Sequence, residues 1–381
     1  MTAMVQYSSS DAMAIDTWLA HVIGGEECEK ELVALLRAEV PPIISWISRG
    51  GCAVQCAHCI FPVESSKGRV ELPSTQTLIS LLAQCTGTGT LVHEGRTLLR
   101  SQIPVLAAIR RAGHPVALIN NGLYTRLLPL CEQQGLAVDT LDVSVDGTPS
   151  VHNTQRGHAR AWDWAMDGLS NARRILTPEG MLTSLFTLTA LNCAVVRDAG
   201  ELLIDRVDEW HLTTMSLRQG IEHMRADKRS LESALQQLLD VRWGKPVKLR
   251  TYSLDDFVWL LEILGKETAR KALAAAQVVD NAIVLDIGLP LYFYPKSLAP
   301  NETVVIDADG WWRFAYCIQY ALDELNAGVD VRGRDISHFT IAHVSEVSDL
   351  RTRFAHAAQV WWRAMGQQCL AAERLALQQF L

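Results

Sequence analysis

Between residues 42 and 220 short apolar runs alternate with amphipathic segments, and this alternation limits the fold more than any other feature of the chain. Six runs read as strands: Ile43 to Ser48, Gly89 to Gly95, Pro115 to Gly122, Thr140 to Gly147, Leu182 to Leu191 and Glu209 to Leu217. Each suits a buried strand, and several end in Gly, Asn or Asp, which form turns. The segments STQTLISLLAQC, TLLRSQIPVLAAIRRAG and ARAWDWAMDGLSNARRIL between them read as helices, with Gly113 placed to stop the second. Parallel neighbours need crossover helices, so the pattern predicts an α/β fold with a parallel sheet, open or curled into part of a barrel. In either form function gathers at the C-terminal strand ends.

Residues 1–41 form a helical preface that Pro41 and Pro42 break, residues 42–222 carry the alternation, and residues 223–381 read as a smaller C-terminal α+β part. That part opens with two helical segments, SLESALQQLLDVRW and SLDDFVWLLEILGKETARKALAAA. It continues through NAIVLDIGLPLYFYP and ETVVIDADGWWRFAYC, where DADG suits a hairpin turn, and closes in a helical stretch from about Ser348 to Gln379. With 49% hydrophobic and 20% charged residues, the 381-residue chain is ordinary globular material. No unbroken apolar window of about 18 residues is present, which argues against a membrane partner. The first residues lack a basic stretch followed by an apolar run, which implies a cytoplasmic protein. A net charge of −7 argues against nucleic acid as the main partner. Nine cysteines, an odd number in a chain too long to need staples, point to metal or redox chemistry rather than a disulfide framework.

Three of them stand together. RGGCAVQCAHCIFP places Cys52, Cys56 and Cys59 in a CxxxCxxC spacing directly after the first strand and a Gly-Gly pair. Three thiolates within eight residues can converge on one centre, and the glycines let the backbone fold tightly around it. A four-iron cluster held by three thiolates keeps one iron open to a substrate or cofactor, whereas a structural zinc site takes a fourth protein ligand. His58 and His93 are candidates for that zinc ligand; Cys85 is the nearest fourth thiolate for an electron-transfer cluster, although as the end of an amphipathic helix it suits packing.

The triplet after the first strand of a βα repeat resembles the radical S-adenosylmethionine (radical SAM) superfamily, whose fold is a partial (β/α)6 barrel similar to a TIM barrel. The resemblance covers roughly residues 42 to 220. It implies one 4Fe-4S cluster on Cys52, Cys56 and Cys59, with S-adenosylmethionine chelated at the open iron and cleaved to methionine and a 5′-deoxyadenosyl radical. It also implies cofactor contacts. Strand two ends in HEGRTLL, where the family has a Gly-Gly-Glu-Pro turn that meets the cofactor's amino group; Glu94, Gly95 and Arg96 occupy that place, with Arg96 and Thr97 where Glu and Pro are usual. INNG, ending strand three, is similar to the family's Thr-Asn-Gly and brings in Asn120. DVSVDGTPSVHNTQRG is similar to its Ser-x-Asp-Gly and later Arg-Gly, which sets Ser144 and Arg156 toward the cofactor carboxylate, a partner that suits Arg well.

IGLPLYFYP and VVIDADGWWRFAYC resemble the hairpin of SPASM or twitch extensions, with Cys317 at the position of an auxiliary-cluster ligand. Only Cys369 follows it, and two thiolates do not fill a four-thiolate site, so a degenerate extension without a second cluster is expected. Tyr292, Tyr294, Trp311, Trp312, Trp361 and Trp362 are candidates to cover the barrel mouth and exclude water, and His211, Thr213, Met215 and Arg218 to line a substrate wall. The expected activity is hydrogen abstraction from a small-molecule natural product or carbohydrate, fed by a one-electron donor of the flavodoxin or ferredoxin type. A radical SAM maturase of a ribosomal peptide, and a zinc- or cluster-stabilised binding module without SAM chemistry, are the competing readings.

Overall fold

A computed structural model describes residues 43–46, 52–59, 74–84, 90–94, 97–215, 221–279, 282–295, 297, 303–306, 311–314, 340–343, 353, 356, 359 and 366–380. Strands and helices alternate as β1 (Ile43–Trp46), α1 (Thr75–Gln84), β2 (Thr90–Glu94), α2 (Ile103–Arg111), β3 (Val116–Asn120), α3 (Leu128–Gln134) and β4 (Val138–Ser144). Two helices, α4 (Pro149–Arg156) and α5 (Ala161–Asn171), then lead to β5 (Leu176–Leu188), α6 (Val196–Leu203) and β6 (Glu209–Thr214). The six strands read from the sequence are all present, and neighbours from β1 to β6 pair in parallel. The expected partial barrel of an α/β protein is therefore the fold.

The chain adds strands to the same sheet at both ends. After α7 (Lys228–Leu239), β7 (Val247–Thr251) pairs in parallel with β6. Helices α8 (Leu254–Leu264) and α9 (Lys266–Ala274) precede β8 (Gln277–Val279), β9 (Ala282–Asp286) and β10 (Pro290–Phe293). Strand β10 pairs antiparallel with β9 and parallel with β7. Then β11 (Thr303–Ile306) returns to the other side and pairs in parallel with β1, followed by β12 (Trp311–Phe314), β13 (Thr340–His343) and α10 (Gln367–Gln378). Strands β11 and β12 form the expected antiparallel pair. The preface, Gly95, Arg96, Cys28, Cys85, Arg218, Cys317, Trp361 and Trp362 lie outside the described residues, as do the side chains of His93, Glu94, Trp311 and Trp312.

Alternation along each strand sends one set of side chains under the helices. Leu141, Val143 and Val145 join the core from β4 and its end, as do Phe186 from β5 and Trp210 from β6. Trp210 meets Phe186 and Trp243 edge-on, at 5.7 and 5.4 Å between centroids. The opposite set is polar: Asp142 and Ser144 on β4, Glu209 and His211 on β6, Lys248 and Arg250 on β7. In a flat sheet β4 and β7 would stand about 14 Å apart, three strand spacings. Asp142 and Arg250 nevertheless act on each other's ionisation, as a sheet curled around this polar face allows. No helix among the described residues is long and apolar enough to cross a membrane.

Candidate functional site

The cysteine loop lies against the C-terminal end of α4. Gln55 N donates to Arg156 O at 3.1 Å and Ala57 N to Gln155 O at 2.8 Å, while Cys59 N closes a turn on Cys56 O at 3.1 Å. Gly157 makes this contact feasible. It caps α4 with φ +63°, and a Cβ there would run into the Gln55 carbonyl. The Arg-Gly pair singled out in the sequence thus closes the helix and seats the loop.

Cys52, Cys56 and Cys59 are half-buried cysteines on this one loop, none of them in a disulfide. Two side chains approach the Cys52 sulfur: Thr97 Oγ1 at 3.8 Å and Asn121 Nδ2 at 3.9 Å. Arg156 approaches Cys56 Sγ at 3.6 Å. Burial pushes the Cys56 thiol up to about 11 against the pull of Arg156. Among the described residues no three His, Cys, Asp or Glu side chains are gathered as a site for a single metal ion. A cubane cluster takes one thiolate at each of three corners and so spreads them wider than one ion would. Three thiols outside any disulfide, with donors directed at two of the sulfurs, fit that group, because such donors stabilise thiolate charge.

Asp146, just past β4, organises the surroundings. It is fully buried, and Arg156 Nε lies 2.5 Å from its Oδ2 in a buried ion pair. Thr187 N donates to its Oδ1 at 2.9 Å, and its own N–H donates to His152 Nδ1 at 2.9 Å. Burial alone would raise this carboxyl, but Arg156 and the two histidines hold it below the ordinary carboxylate range. His58 Nε2 lies 3.8 Å from Asp146 Oδ2, and burial lowers its pKa to about 4, so the ring is neutral near pH 7. Arg156, expected to face a cofactor carboxylate, is 9% exposed and shared between Asp146 and Cys56.

Of the other expected cofactor contacts, Ser144 ends β4 half-buried on the polar face. Asn120 is 2% exposed; its Oδ1 accepts from Tyr124 N at 3.3 Å and its Nδ2 has no hydrogen-bond partner. Asn121, which the sequence reading passed over, is the asparagine beside Cys52. The turn after it depends on Gly122 at φ +89°, where a Cβ would strike the Trp164 and Ala165 backbone. Two adjacent asparagines before such a glycine are the sequence signal for this turn. Glu94 ends β2.

Farther round the sheet, Glu209 lies 2.6 Å from Lys248 Nζ and 2.8 Å from His211 Nε2. The His211 hydrogen bond, followed by that of Lys248, holds Glu209 at about 2 against its burial, while burial keeps His211 near 4 and neutral. His211 and Thr213 share one face of β6, whereas Met215, just past the strand, is buried with Ile221 and Met224. Tyr292 and Tyr294 stand near this face: Lys248 Nζ lies 5.9 Å from the Tyr292 ring centre, and Tyr294 stacks on Tyr252 at 4.7 Å.

No protein-family model and no curated protein matches the chain. Solved structures do. Streptococcus suis SuiB bound to precursor peptide SuiA is 11% identical with a TM-score of 0.53, over 85% of this chain and 69% of that one. Polyhistidine-tagged anSMEcpe with bound AdoMet is 12% identical with a TM-score of 0.50, over 82% of each chain. Native anSMEcpe with bound AdoMet is 13% identical with the same TM-score, over 82% and 80%. In two other matches, SuiB alone and SuiB bound to S-adenosylmethionine, the chain spans 60% and 63% of SuiB's length. At these identities the likeness is one of fold.

Proposed function

We propose that this chain is a radical SAM enzyme that modifies a peptide, with Cys52, Cys56 and Cys59 holding one 4Fe-4S cluster and S-adenosylmethionine as the second cofactor. One observation carries the reading: a CxxxCxxC loop seated on α4 at the C-terminal ends of a curled parallel sheet, where such folds place their chemistry. The fold likeness to SuiB, in a structure that holds its precursor peptide, favours a peptide over a carbohydrate or natural-product intermediate. Residues 42–222 would be the radical-generating unit and residues 223–381 the part that completes the substrate site.

When bound, the cluster supplies the electron that splits S-adenosylmethionine, so that the adenosyl fragment can take hydrogen from an unactivated C–H bond. The chain's own residues do the positioning. Thr97 and Asn121 steady Cys52, and Arg156, oriented by Asp146, donates toward Cys56. Glu94, Gly95, Arg96, Ser144 and Arg156 remain the proposed cofactor contacts, with Asn121 taking the place read for Asn120. Thr213, Tyr292 and Tyr294 line the polar face beyond and limit water around a reactive fragment. A one-electron donor of the flavodoxin or ferredoxin type and a cytoplasmic setting complete the proposal.

Anaerobic reconstitution with iron and sulfide tests it. The expected product is a brown protein with about four irons per chain that releases 5′-deoxyadenosine under dithionite. Cys52→Ala, Cys56→Ala and Cys59→Ala should each lose colour and cleavage. A colourless protein holding zinc, or cleavage that survives these changes, would refute the reading.

A further inference from the structure

On the polar face of the sheet Arg250 stands, among the described residues, outside ion-pair distance of any carboxylate. Arg250 is the middle member of the row Lys248, Arg250 and Tyr252, which alternates with the core residues Val247, Leu249 and Thr251. Asp142 acts on its ionisation from beyond ion-pair distance, and both nearby carboxylates have other hydrogen-bond partners. Glu209 is held by Lys248 and His211, and Asp142 accepts the Thr183 hydroxyl. Among the described residues no carboxylate lies within ion-pair distance of Arg250, and its Nε is buried without a hydrogen-bond partner. A guanidinium in such a place costs free energy unless something arrives to accept its fork of donors.

The surroundings are shaped to admit such a group. Arg250 pairs across the sheet with Thr213 on β6 and Tyr292 on β10. The Tyr252 and Tyr294 rings stack at 4.7 Å with 15° between planes, and Tyr252 is 38% exposed. A stacked aromatic pair open to solvent at the strand ends, above a half-buried Arg, combines apolar contact area with one fixed charge.

We propose that Arg250 is the anchor for a side-chain carboxylate of the substrate, so that the site selects an acidic peptide, with Tyr252, Tyr292 and Tyr294 as the walls around it. This rests on the reading that the polar face receives a peptide. Arg is the side chain suited to the role, because its planar fork matches both carboxylate oxygens.

The test uses the full reconstituted chain, immobilised, and a randomised nonapeptide mixture with acetylated N-termini and amidated C-termini, so that only side chains carry carboxylates. Mass-spectrometric sequencing of the retained fraction should show Glu and Asp enriched about tenfold over Gln and Asn, as a charge-assisted pair predicts. In Arg250→Gln the ratio should fall to about one, with S-adenosylmethionine binding by calorimetry unchanged. Arg250→Lys, which keeps the charge and loses the fork, should retain a reduced enrichment and decides the matter if the Gln variant does not fold. No acidic enrichment in the wild-type chain, or full enrichment in either variant, overturns the proposal. Failure of the wild-type chain to cleave S-adenosylmethionine while it still enriches acidic peptides would instead refute the enzymatic reading.

Discussion

Replacing Gly157 by Ala tests how the cysteine loop is held. Two penalties combine there. A side chain at φ +63° costs about 1–2 kcal/mol, the ordinary penalty for an L-residue in the left-handed region. The added Cβ also meets the Gln55 backbone, with the carbonyl carbon at 3.1 Å, and must push the loop away. That breaks the Gln55 N to Arg156 O and Ala57 N to Gln155 O bonds, at about 1 kcal/mol each. Gly135 supplies the control. It ends α3 at φ 63° and ψ 34°, nearly the geometry of Gly157 at 63° and 29°, yet a Cβ there meets nothing within 4 Å. Gly135→Ala should therefore show the conformational penalty alone, and Gly157→Ala about 2 kcal/mol more. The assay is amide hydrogen exchange at Gln55 and Ala57, read alongside urea unfolding. Exchange there should rise roughly 30-fold in Gly157→Ala and stay unchanged in Gly135→Ala. Equal protection of the two amides in wild-type and Gly157→Ala chains would refute the steric argument.

Two further predictions concern the sheet and its packing. Glu209 is held at about 2 from an ordinary 4.5, so its contribution to stability is full above about pH 4.5 and is lost as pH falls toward 2; Glu209→Gln should flatten that part of an acid-unfolding curve, and an unaltered acid limb would contradict the pairing with His211 and Lys248. Tyr124 is fully buried and its hydroxyl donates to Gly168 O at 2.5 Å, so Tyr124→Phe should cost about 1–2 kcal/mol in urea unfolding by stranding that carbonyl, and a neutral effect would contradict the bond.

The strands β1 to β6 and their helices were legible because each strand is an apolar run bounded by turn formers. Strand β7 was not, because Val247 to Thr251 alternates with Lys248 and Arg250 and reads as polar. That polarity belongs to the curled face, which only the closed sheet reveals. The cysteine triplet was legible as spacing, and its seat on α4 was partly visible in the Arg-Gly pair. What Arg156 touches was not, since its contact with Asp146 depends on how α4 packs back over the end of β4. Choosing between Asn120 and Asn121 required the turn at Gly122, because adjacent residues leave a strand in opposite directions. The placement of β10 and β11 beside β7 and β1 had no local signal at all, as partners so distant in sequence are set by tertiary closure.

The return of β11 to β1 has a consequence for biosynthesis. Ile43 pairs with Thr303, so the strand that leads into the cysteine loop keeps one bare edge until the ribosome has made most of the chain. At roughly 5–20 residues per second that interval is on the order of ten seconds or longer. A nascent chain stopped short of Thr303 would carry β1 paired with β2 on one side and bare on the other, just ahead of the cysteine loop.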